Sequence, residues 1–128
     1  MTNQEIFKDL GELGTLMLLF LEMAATDEEL TDEELTDEEL KAVLDAGASF
    51  TDKDLRPHLD SALIFSESVS FQERVAYLNA GIKYFSVGFT AETKKGILTG
   101  LAKIAKVDGT IHEHEDELFQ MVKMYLNV

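Results

Sequence analysis

The sequence predicts an all-α protein, a compact helical bundle with an internal pseudo-twofold duplication of one helix pair. Three observations predict it. A single proline in 128 residues leaves long stretches free to run as helix. Apolar residues recur at three- and four-residue spacing in one segment after another. A short acidic turn also occurs twice, as Thr26-Asp27-Glu28-Glu29-Leu30 and as Val107-Asp108-Gly109-Thr110-Ile111, with Asp27 and Asp108 81 positions apart.

Thr2 is placed to cap a first helix that carries Ile6, Phe7 and Leu10. Gly11 and Gly14 bend or loosen it. Leu16, Met17, Leu19, Phe20, Met23 and Ala24 then continue a helix that is apolar nearly all round. Such a helix belongs at the centre of a bundle, buried on most sides.

Thr-Asp-Glu-Glu-Leu follows three times in tandem, at 26–30, 31–35 and 36–40. Each unit has the form of a capping box, and its acids suit the positive end of a helix. A second helix therefore begins here, from Thr31 or from Thr36. The first start keeps the 81-residue offset and pairs Glu34 with Glu115. The second makes one unit an insertion, pairs Glu39 with Glu115, and lays Ala42, Val43 and Ala46 on Leu118, Phe119 and Val122. Gly47 is expected to stop this helix.

Thr51 caps a short turn from Asp52 to Arg56, and Pro57 opens the next helix with Leu59, Leu63 and Ile64 inward. A loop is expected at Ser66–Ser70. Ser70-Phe71-Gln72-Glu73 is a further capping box, opening a helix with Val75, Leu78, Ile82 and Phe85 on one stripe and an end near Gly88. Thr90 caps the next, whose apolar face is Ile97, Leu98, Leu101, Ile104 and Ala105. Asp108-Gly109 ends it, and a last helix runs from about Glu113 to Leu126 with Leu118, Phe119, Val122, Tyr125 and Leu126 inward. In the duplication, Leu16, Met17, Phe20 and Met23 correspond to Ile97, Leu98, Leu101 and Ile104.

Composition narrows the function. The chain spans one domain, residues 1–128, long enough to hold a core without disulfides or metal. It has no cysteine, which excludes thiol catalysis and zinc thiolate sites. The net charge is −14, with 17 acids against 4 bases in residues 1–64 and 8 against 7 in residues 65–128. Such a field repels nucleic acid and attracts cations and basic protein surfaces. The apolar run from Leu13 to Ala25 is too short to span a bilayer and lacks a basic flank, so a cytoplasmic location is expected. There is no glycine-rich phosphate loop and no nucleophile motif, so the chain reads as a non-enzyme. His112 and His114 stand two apart and His58 is isolated, which is not the spacing of a helical zinc site.

Ile104-Ala105-Lys106-Val107-Asp108-Gly109-Thr110-Ile111 with Glu115, and its weaker copy Met23-Ala24-Ala25-Thr26-Asp27 with Leu30 and Glu34, resemble the TerB-like family of tellurite-resistance proteins. Glu28 stands where that family usually has glycine. The resemblance implies a bundle of about seven helices. It also implies a non-enzymatic cytoplasmic stress-response protein, with peripheral membrane association through a partner complex.

In that family the acidic turns have been discussed as a metal-binding patch. The matching residues here are Asp27, Glu34, Asp108 and Glu115, with Glu39 as the alternative to Glu34. Their carboxylates suit a divalent cation such as calcium, magnesium or manganese. The competing reading is helix punctuation: Asp108-Gly109 as a turn, and Glu115 as one half of a capping box. A self-contained EF-hand is excluded, because its first and third ligand positions would fall on Ile104 and Lys106. The expected role is thus an acidic, non-catalytic module that binds a protein with a basic surface, with or without a divalent cation. The alternative is a pure protein-interaction or DNA-mimicking module that holds no ion.

Overall fold

The computed structural model describes residues 3–24, 37–105 and 113–126. Among them are six helices and no strand: α1 (Asn3–Ala24), α2 (Asp37–Ala48), α3 (Arg56–Ser68), α4 (Phe71–Gly88), α5 (Ala91–Ala105) and α6 (Glu113–Leu126). The all-α expectation holds, with six helices in the described residues against about seven expected.

α1 organises the bundle. It bends at Gly11, whose φ of 75° and ψ of 173° lie outside helical values. An L side chain rarely adopts this φ, and glycine does so without strain. The bend exposes the Gly11 carbonyl to a new donor, and the Thr15 hydroxyl donates to it at 2.8 Å. Beyond the bend every residue from Gly14 to Ala24 is buried. α1 packs against each of the other five helices, the arrangement that its all-round apolar surface requires.

The duplication shows in the packing. α1 lies against α2, and α5 lies against α6. The two central helices meet each other, and each also touches the outer helix of the other pair, α1 with α6 and α5 with α2. The corresponding positions Leu16, Met17, Phe20 and Met23, and Ile97, Leu101 and Ile104, are all buried. α3 and α4, between the two pairs in sequence, cover the remaining sides of α1.

Local signals set the outer helices. α4 opens on the expected capping box, in which the Glu73 amide donates to the Ser70 hydroxyl and the Ser70 amide to the Glu73 carboxylate, both at 3.2 Å. At the start of α5 the Thr93 amide donates to the Thr90 hydroxyl at 3.2 Å. Before α3 the Lys53 amide donates to the Thr51 hydroxyl, and the Arg56 amide to the Asp54 carboxylate. Pro57 then lies in the first turn of the helix, where its missing amide costs nothing.

Three expectations change. Gly47 does not stop α2; the helix continues to Ala48 with Gly47 buried inside it. A Cβ there would overlap Met17 Cε and lie 2.6 Å from Leu55 Cδ1, so this glycine permits close approach. α3 runs on to Ser68, and the Ser66 hydroxyl donates to the Leu63 carbonyl at 2.8 Å. The expected loop therefore shrinks to the residues around Val69. Ile64 is 68% exposed, because the inward stripe is Leu59, Ala62, Leu63 and Ser66 and residue 64 falls beside it.

Candidate functional site

Two regions carry functional potential: the acidic starts of α2 and α6, and a cleft along the seam of α2 and α5. Of the residues expected at a cation site, Asp27, Glu34 and Asp108 lie outside the described residues. Glu115 is placed only through its backbone, in the first turn of α6. Glu39 is half-buried in the first turn of α2, beside the exposed Asp37 and Glu38. These three acids face the positive end of the α2 dipole, which favours carboxylates and opposes a cation at that same end. Among the described residues no cluster of three His, Cys, Asp or Glu side chains is arranged to hold a metal.

Burial bears on the register between the two copies. Leu118 and Val122 are buried on α6. The offset that pairs Glu34 with Glu115 would lay the exposed Asp37 and Lys41 on them. The offset that pairs Glu39 with Glu115 lays the half-buried Ala42 and the buried Ala46 there instead. As helices, α2 and α6 are therefore equivalent with Glu39 opposite Glu115.

The cleft arises from glycines on α5. A Cβ on Gly100 would stand 3.2 Å from Ala46 Cβ and 3.3 Å from the Phe20 ring, so α2 and α5 approach closely there. Toward the start of α5 the seam opens into a cleft of about 500 Å³. Leu13, Leu16, Phe50 and Phe89 supply its apolar lining, and Ser49, Glu92 and Thr93 its polar rim. The cleft continues past Ser49 and Gly96 into a second recess of about 360 Å³, where Asp45, Thr99 and Lys103 join the lining.

Sequence reasoning missed two buried polar links between α1 and α4. Arg74 Nε donates to Glu22 Oε2 at 2.6 Å, and both side chains are 2% exposed. The Thr15 and Tyr77 hydroxyls meet at 3.0 Å. Thr15 has already given its one proton to Gly11, so Tyr77 is the donor. The signal for the ion pair was Glu22 itself, the only charged residue between Leu13 and Ala25. A lone carboxylate in a buried helix needs a cation, and Arg74 is the one that α4 supplies.

The family model for tellurite resistance protein TerB matches residues 14–128. The chain belongs to the TerB family. The match begins just past the bend at Gly11, where the buried part of α1 also begins. It takes in the buried part of α1, the other five helices, and every residue lining the α2–α5 cleft except Leu13. No curated protein and no solved structure matches the chain. Among the described residues of this TerB-family chain, no helix is long and apolar enough to cross a membrane.

Proposed function

We propose that this TerB-family chain is a non-catalytic, acidic stress-response module of the cytoplasm. It binds a protein with a basic surface and holds a divalent cation at its acidic turns. The observation that carries the reading is the acidic charge concentrated in sequence between α1 and α2. Nine of the thirteen residues from Asp27 to Glu39 are acids, in a chain of net charge −14. The acidic turns recur at the same point of both pairs, and Asp27, Asp108 and Glu115, with Glu34 or Glu39, supply the hard oxygen ligands that calcium, magnesium or manganese takes. The register of α2 against α6 favours Glu39 as the fourth.

A second reading has its own support. Asp37, Glu38 and Glu39 already sit at the positive end of α2, where they are stabilised with no ion present. A module that only presents negative charge, to a basic protein or in imitation of nucleic acid, would look the same at this helix. Binding of a basic DNA-binding protein separates the two. Capture that chelator abolishes favours the cation-dependent module. Capture that ignores chelator and is competed away by duplex DNA favours the mimic. If neutralising Glu28, Glu29, Glu33 and Glu34 to glutamine leaves capture and its salt dependence unchanged, the tract plays no part in either.

A further inference from the structure

We propose that the cleft between the end of α2 and the start of α5 receives an arginine side chain of the basic protein partner. The inference rests on the partner reading above and gives that partner a docking point.

The cleft has the parts that a guanidinium on an apolar stem requires. Its walls include two aromatic rings, Phe50 and Phe89, both half-buried and so open on one side. Each ring is held in place. Phe50 packs on Phe20 with centroids 6.3 Å apart, and its ring lies 3.4 Å from where a Gly96 Cβ would stand. Phe89 stacks on Phe85 at 4.8 Å with planes 7° apart. Fixed rings lose little freedom when a cation stacks on them. Leu13 and Leu16 offer apolar surface to the methylene stem.

Charge selects the head group. Among the described residues Glu92 is the one charged residue lining this part of the cleft, and it is exposed in the first turn of α5. α2 ends beside it at Ala48, with no base in its last turn to offset the negative end of its dipole. The positive end of α5 opposes α2 across the cleft, and Glu92 leaves the balance negative. Ser49 donates its proton to the Ala46 carbonyl, so its oxygen faces a ligand as an acceptor. Arginine fits better than lysine: its planar head both stacks on a ring and forks onto a carboxylate. Asp45 and Lys103 both line the second recess, so a partner segment bound along the seam would meet charges of both signs beyond the arginine.

The test uses the full chain, labelled with nitrogen-15 and titrated with a short neutral peptide containing one arginine. The control peptide carries citrulline, which has the same shape without the charge. Saturable shifts at the amides of Ser49, Phe50, Thr93 and Gly96, weakened about ten-fold by citrulline and about ten-fold by Glu92→Gln, support the proposal. Glu117→Gln, which removes an exposed acid on α6, should leave the affinity unchanged. Equal binding of both peptides, or an unchanged affinity in Glu92→Gln, overturns it. Shifts confined to residues 27–39 overturn the cleft and keep the basic partner. No binding of the arginine peptide or of oligoarginine anywhere on the chain overturns both.

Discussion

At the residue scale, the side chains that fix the bundle are few and their partners lie far off in sequence. The Glu22–Arg74 pair joins positions 52 apart and is sealed from water. Removing Arg74 takes its guanidinium away from a buried carboxylate, so Arg74→Leu should lower stability by about 3–5 kcal/mol. Replacing both with leucine should recover most of that loss, because the two desolvation costs then vanish together. Urea unfolding of the single and double variants checks both outcomes. Gly11→Ala forces an alanine to φ 75° and should cost about 1–2 kcal/mol. Gly47→Ala should cost at least as much for a different reason, since its Cβ meets two packed side chains, Met17 and Leu55. The bend at Gly11 is legible in the sequence, whereas the roles of Glu22 and Gly47 are not. In sequence Glu22 is a single charge within an apolar run, and Gly47 reads as a helix stop. Only the three-dimensional neighbours, Arg74 for one and Met17 and Leu55 for the other, give them their function.

At the element scale, the starts of α4 and α5 followed the caps that mark them in the sequence. α4 begins after Ser70 and α5 after Thr90, as their hydroxyls and spacing require. Ser70→Ala removes one side of the box and should destabilise the protein by about 1 kcal/mol, measured by the shift of its thermal midpoint. The end of α3 was less legible, because Ser66 and Ser68 look like loop residues. In the structure their hydroxyls donate back to the carbonyls of Leu63 and Phe65, at 2.8 Å each, and the helix continues. The start of α2 was ambiguous for a physical reason: three identical capping units follow one another, and each is as good a start as the next. Burial in α2 and α6 chooses between the two registers where local pattern did not. The candidate site was legible as a set of residue types, because carboxylates at repeated turns can be read from a sequence. The cleft was not, since Phe50 and Phe89 converge only when α2 packs on α5.

At the scale of the whole molecule, a duplicated helix pair buries its two apolar helices against each other, and the acidic tract lies in sequence between the helices of the first pair. That plan explains why so much negative charge costs the core nothing. Among the described residues, Asp37, Glu38 and Glu39 stand at the exposed start of α2, while the buried charges are the paired Glu22 and Arg74. It also sets what a ligand must do. A cation shared by two turns far apart in sequence binds only the folded chain, so it must raise the stability of the whole bundle. The direct measurement is the unfolding midpoint in chelator and then in calcium, magnesium and manganese, for the natural chain and for Asp108→Ala. At an ion concentration 100 times the dissociation constant, one of these ions should add about 2.7 kcal/mol to the natural chain and nothing to the variant. A midpoint that no ion moves, or that moves equally in Asp108→Ala, would contradict a cation site at the acidic turns.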